Sequence, residues 1–212
     1  MQRFRITYNK GASLQYIGNL DLHKVWERYL RRARIPLAYT QGFHPQPHIQ
    51  QAAPLPLGFL SENDLLDVWV QSENWPPADF LTRLQVTHQP GIEIVSIADI
   101  PLNSPSLPTL IISSLYRVIL LDPYDADDLK DRLENLQKQS TILRTRRNKT
   151  YDLRPLIEQI DLFLNPLNQC AEFRMQLAAR EGATGRPDEV IGELGFDPYA
   201  ARYIRTGFIM KE

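Results

Sequence analysis

Two histidines four residues apart, His44 and His48, stand in a proline-rich stretch over residues 39–58, YTQGFHPQPHIQQAAPLPLG. Imidazole titrates near neutrality, so either ring is a candidate for acid–base catalysis or for hydrogen bonding to a phosphate or a base. On a helix the four-residue spacing would put both rings on one face, as in zinc sites. Pro45 and Pro47 rule out that helix, and the sequence supplies no obvious third ligand, so no metal is expected. A loop whose histidines bond only to backbone is the structural alternative. A second set is purely cationic: Arg28, Arg31, Arg32 and Arg34 crowd one end of a helical stretch whose acids are sparse. Cations near a helix C-terminus stabilise it, and a phosphate-tracking patch would use the same residues. The third set is Arg144, Arg146, Arg147 and Lys149, with Tyr151 and Arg154 just beyond. Such closely spaced cations repel one another unless an anion lies between them, and a tyrosine offers a stacking face for a base. A solvated hairpin tip is the plainer reading.

Composition narrows the choice. The 212 residues carry 24 basic and 25 acidic side chains, so no overall field draws in a polyanion and any nucleic-acid site is a local patch. One cysteine, Cys170, leaves no internal disulfide and too few thiolates for an iron–sulfur cluster, and no cofactor is expected. That cysteine usage and an opening stretch, MQRFRITYNK, without the apolar run of a signal peptide lead us to expect a cytoplasmic protein. Gly182 and Gly185 precede a helix start at Pro187, but no Gly-Lys-Ser/Thr follows and Asp188 and Glu189 would repel phosphate, so this is no P-loop.

The elements that must position these residues follow from periodicity. Phe4, Ile6 and Tyr8 alternate with polar residues, a strand. Leu22, Val25, Trp26, Tyr29, Leu30 and Ala33 form one apolar stripe of a helix with Asn19 as its expected N-cap. Strands are expected over 37–40 and 65–70 around the long loop 41–58, then a helix over 78–86 and a strand over 92–97. The proline- and serine-rich stretch within 101–112 reads as a linker. The order then repeats: strand 116–121, helix 127–137, strands at 141–145 and 150–153 around the basic turn, strand 172–178, helix 187–194 and strand 202–210. The expectation is an α+β chain of two tandem ferredoxin-like (βαββαβ) modules with antiparallel sheets, residues 1–100 and 113–212. The basic turn and the loop 41–58 would then occupy equivalent positions, between the second and third strands of their modules.

Several segments carry a resemblance: RFRITYNKG, NLDLHKVWERYLRRARIPLAYTQGFHPQPHI, APLPLGFLSENDLLDV, YDLRPLI, ATGRPDEVIGELGFDP and RYIRT. In this order they resemble the uncharacterised radical-SAM-linked protein family. The resemblance implies a partner, a radical-SAM protein with a cobalamin-binding-type domain, on which the cluster chemistry would reside. It also implies a gene encoded near those for ribosome and RNA-processing functions, and it matches Gly42, Phe43, His44, Pro45 and Pro47, Asp152, Leu153 and Arg154, and Arg186, Pro187 and Asp188 to family motifs. Three functions stay open. One is a non-catalytic accessory protein that holds RNA for the radical-SAM partner. Another is a protein–protein scaffold for that partner. The third is a metal-independent ribonuclease using His44 or His48, by analogy with the CRISPR repeat-processing endonucleases, which are also tandem ferredoxin-like proteins.

Overall fold

A computed structural model describes residues 1–146, 148–165 and 170–211. Those residues form a mixed α+β protein with mostly antiparallel sheet and five helices. The chain divides into two compact units, Met1–Ile111 and Ile112–Lys211. Among the described residues no helix is long and apolar enough to cross a membrane.

The first unit runs β1 (Gln2–Lys10), α1 (Asn19–Arg32), β2 (Ile49–Gln51), β3 (Leu60–Val70), α2 (Pro77–Thr87), β4 (Ile92–Ile100) and a short α3 (Leu107–Leu110). All pairings are antiparallel and the strand order is β4-β1-β3-β2. Because side chains alternate along a strand, Phe4, Ile6 and Tyr8 of β1 and Leu66, Val68 and Val70 of β3 share one face. That face meets Leu22, Trp26, Tyr29 and Leu30 of α1 and Phe80 and Leu84 of α2 in one apolar core. The Tyr29 hydroxyl, buried between the helices, donates to the Leu84 carbonyl at 2.8 Å. The N-cap lies one residue earlier than expected: Gly18 is the N-cap and Asn19 lies inside the first turn, its Oδ1 buried without a hydrogen bond.

Two expectations fail here. Residues 37–40 form only isolated bridges, and the true second strand, β2, lies inside the expected loop. The physical reason is its length: three residues, Ile49–Gln51, carry too little alternation to stand out from a polar, proline-rich run. The segment expected as a linker is part of this unit. Leu107 is completely buried, and its backbone N–H donates to Gln50 Oε1 at 3.0 Å.

The second unit contains β5 (Ile111–Leu120), α4 (Ala126–Lys138), β6 (Leu143–Arg146), β7 (Lys149–Asp152), β8 (Ile157–Asn165), β9 (Cys170–Arg180), β10 (Ala183–Thr184), α5 (Pro187–Glu193) and β11 (Ala201–Met210). Strand β9 pairs antiparallel with β5 along one edge and with β8 and then β10 along the other, and β11 flanks β5. The order is therefore β8-β9-β5-β11. Val118, Leu120, Phe173, Met175 and Leu177 from the sheet, Leu129 and Leu136 from α4, and Val190 and Ile191 from α5 are among its buried apolar residues. Helix α4 is capped by Asp125, whose carboxylate accepts from the Asp127 and Asp128 backbone N–H groups and is held below the usual carboxylate range by those bonds.

A third expectation is corrected in this unit. The basic strands β6 and β7 are not the second and third strands of the sheet but a separate two-stranded hairpin. The second strand is β8, which the sequence pattern hides because a register irregularity between Ile157 and Gln159 breaks its alternation. In the first unit the expected loop is thus divided by β2, and in the second the basic hairpin lies between α4 and β8.

Candidate nucleic-acid interface

The apolar stripe of α1 fixes which way its cations point. With Leu22, Trp26, Tyr29 and Leu30 inward, Arg28, Arg31 and Arg32 are left exposed, and Arg34 follows in the turn beyond Ala33 with φ of 55°. The two acids of the helix are engaged elsewhere: Asp21 lies 3.5 Å from Lys24, and Glu27 lies 3.5 Å from His23. Among the described residues none of the four arginines forms an ion pair; Arg32 instead donates to Gln89 Oε1 at 2.6 Å. A fifth cation joins them from α2. Arg83 donates to the Arg34 carbonyl at 3.1 Å, with its guanidinium 4.8 Å from the Trp75 ring. Sequence reasoning missed Arg83, because a single arginine in α2 gives no cluster signal until the two helices are side by side.

The stretch between α1 and β2 is a narrow, firmly based excursion. Bridges join Leu37 to Val70 and Tyr39 to Pro47. Backbone bonds run from Ala38 N–H to the Trp69 carbonyl, from Trp69 N–H to the His48 carbonyl, and from Thr40 N–H to the Gln46 carbonyl, all within 3.0 Å. Residues 41–46 protrude as an exposed tip. Gly42 has φ of 136°, a backbone conformation that side-chain-bearing residues rarely adopt. Phe43 at this tip is fully exposed, at 102% of its reference area. His44 is exposed beside it and makes no hydrogen bond to the described residues. His48 is different. Its ring lies flat on Trp69, centroids 3.8 Å apart with planes at 4°, and burial, followed by the nearby Arg3 charge, lowers its pKa. Burial thus disfavours the charged form of the ring, which serves as part of the base of the excursion.

Trp69 belongs to the face of the sheet opposite α1 and α2, whose other residues form a buried ionic group. Asp67, with no exposed surface, accepts from Arg3 Nε and Nη2 at 3.0 and 2.6 Å and from Arg5 Nε and Nη2 at 2.8 and 2.9 Å. Arg3 also donates to the Ser104 and Pro105 carbonyls, each at 2.8 Å, and so ties the segment before α3 to the sheet. The α1 arginines and the His48 ring accordingly sit on opposite faces of the first unit's sheet, while His44 extends beyond it at the tip.

In the second unit two of the expected cations, Arg144 and Arg154, are engaged internally. Arg144 pairs with Glu193 at 2.8 Å and donates to the Glu189 carbonyl at 3.1 Å, both on α5. The Tyr151 hydroxyl donates to the Glu189 carboxylate, and burial and that bond raise its pKa. Arg154 donates to the carbonyls of Gln139, Ile157 and Gln137. Arg146 and Lys149 remain exposed and form no ion pair among the described residues; Arg147 lies outside the described residues. The turn at Gly185 is tight for packing, since a Cβ there would stand 3.0 Å from the Leu156 carbonyl. Arg186, just after it, is paired with Asp188 through two bonds of 2.9 and 2.5 Å.

A family model described as "uncharacterized protein conserved in bacteria" (DUF2344) matches residues 3–187. The chain belongs to this bacterial family. Comparison with curated proteins gives no match. Among solved structures the chain is similar to one chain of a structure described as "Crystal Structure of a Cbf5-Nop10-Gar1 Complex", with a TM-score of 0.51 and 10% identity. The match covers 96% of this chain and 48% of the other, so this chain spans about half the length of its structural neighbour. At that identity the likeness is one of fold alone.

For this DUF2344 chain the charged side chains separate into groups already committed and groups still open. Arg3, Arg5, Arg144, Arg154 and Arg186 hold the fold together through carboxylates and carbonyls. Arg28, Arg31 and Arg34, with Arg32 held by the Gln89 amide and lying over the Tyr29 ring, present positive charges to solvent, as do Arg146 and Lys149. Charges with no internal carboxylate are those that an external polyanion neutralises at least cost. No group of three or more His, Cys, Asp or Glu residues placed to hold a metal occurs among the described residues.

Proposed function

We propose that this protein is a non-catalytic accessory protein that binds RNA, or an RNA-containing substrate, on behalf of a radical-SAM partner. The observation that carries the reading is the cluster on α1: four exposed arginines without carboxylate partners among the described residues, in a chain whose net charge is −1. Each phosphate neutralised by such a group releases counterions, so binding of this kind weakens steeply with salt. The flat stack of His48 on Trp69 supports a structural role for that ring at the base of the excursion. We also read each unit as a ferredoxin-like βαββαβ module, the second with the β6–β7 hairpin inserted. The strand orders β4-β1-β3-β2 and β11-β5-β9-β8 support that reading.

The test is RNA affinity measured by fluorescence anisotropy across a salt series. For the parent chain the logarithm of affinity should fall linearly with the logarithm of salt. Arg31→Ala/Arg32→Ala should flatten that slope by ~0.7 for each phosphate of a single-stranded RNA that is no longer neutralised. Weak binding with the same slope in parent and variant would sink the reading.

A further inference from the structure

From Ile35 to Ser61 the chain contains no Asp, Glu, Lys or Arg, although 23% of the whole sequence is charged. The uncharged stretch begins at the residue after Arg34, where the cationic cluster of α1 ends, and includes the whole excursion to Phe43 and back. Its tip presents Gln41, Phe43, His44 and Gln46, with Tyr39 just below, which are aromatic, amide and imidazole groups, all exposed. A fully exposed phenylalanine at the end of a hydrogen-bonded, proline-stiffened base gains nothing for folding. Exposed to water and unpacked, it adds an apolar surface that only a ligand would cover.

We propose that Phe43 is a nucleobase-stacking residue and that the RNA held by this unit is unpaired where it meets the tip. This deepens the RNA reading above and rests on it. The chemistry is complementary in two adjoining zones. The α1 arginines offer charge for phosphates and no apolar surface, whereas the tip offers aromatic and amide groups and no charge. Every base has an aromatic face that stacks on a phenyl ring whatever its identity, and amide side chains reach the base edges. In an A-form duplex those faces are covered by neighbouring base pairs and the deep groove is too narrow to read, so such a tip suits a single strand, loop or bulge. At most ~30 Å of extended chain separates Arg34 from Phe43, so one strand can reach both zones. A protein surface would also cover Phe43, but the absence of any charge in the tip and the unneutralised arginines next to it in the chain favour a ligand that brings phosphates and flat apolar faces together.

The experiment uses the full chain and a short single-stranded oligoribonucleotide carrying one fluorescent base analogue whose emission is quenched by stacking. Binding of the parent should quench the analogue. Phe43→Ala and Phe43→Leu should lose the quench and weaken affinity about tenfold, within the range for one base–aromatic stack, with the salt slope unchanged. Phe43→Trp should keep both. A duplex of the same sequence should compete poorly. Because Phe43 touches no core residue, none of these variants should shift the melting temperature. If Phe43→Ala binds and quenches like the parent while Arg31→Ala/Arg32→Ala still loses affinity, the stacking proposal is wrong and the RNA reading survives. No binding by the parent removes both. Equal competition by duplex overturns the unpaired-strand specificity. RNA affinity unaltered by Phe43→Ala, together with loss of a co-purifying protein, would reassign the tip to a protein interface.

Discussion

Asp67 accepts four hydrogen bonds from two guanidinium groups while fully removed from solvent. A buried carboxylate with two cations is stabilising only as a complete set, because removing one member strands the others in a medium that solvates them poorly. Asp67→Ala is therefore expected to cost ~3–5 kcal/mol, read as a lowered urea midpoint, and to loosen the 101–106 segment that Arg3 holds. His48 makes a smaller, pH-dependent contribution. Its folded pKa lies below the unfolded value because burial and Arg3 oppose the charged ring. The unfolded chain thus binds a proton first: the contribution is intact above about pH 6.5 and is lost as pH falls through the folded pKa. His48→Gln should flatten the fall in melting temperature below about pH 6.5, in a range where the depressed carboxylates Asp125 and Glu158 have not yet begun to protonate. An unchanged profile would show that the stack on Trp69 does not govern this titration. Both residues were hard to recognise in sequence. An Asp in a strand and a His in a loop acquire these roles only from Arg3 and Trp69, one of them more than sixty positions away.

The elements carry the contrast between committed and open cations. On α1 the alternation of apolar and cationic positions was legible in the sequence, because a single stripe fixes both faces of a helix. On the β6–β7 hairpin the same charge density has another use, since Arg144 and Tyr151 fasten it to α5. Arg144→Ala should free that attachment, raising hydrogen exchange and protease sensitivity near residues 144–152, and should leave RNA affinity unchanged. The combined Arg146→Ala/Lys149→Ala variant should do the reverse, flattening the salt slope without loosening the hairpin. A drop in affinity for Arg144→Ala larger than for Arg146→Ala/Lys149→Ala would contradict this division. Sequence could not make it, because a salt bridge to Glu193 spans almost fifty positions and leaves no local pattern.

At the scale of the whole molecule, the net charge of −1 sets the expectation that nucleic acid is held locally or not at all. Replacing Arg28, Arg31, Arg32 and Arg34 together by alanine should abolish retention on immobilised RNA at moderate salt, while far-UV circular dichroism stays that of the parent. Each C-terminal cation removed costs the helix only ~0.3–1 kcal/mol. The stripe of α1 and the run of uncharged residues are properties of neighbouring residues, so they can be read locally along the chain. Which cations remain open, which acid is buried, where the true second strands β2 and β8 lie, and what the histidine ring rests against were decided by tertiary structure. Partners distant in the chain set the energy of a charge or a ring, and a strand of three residues or one with a broken register takes its place from the neighbour it pairs with.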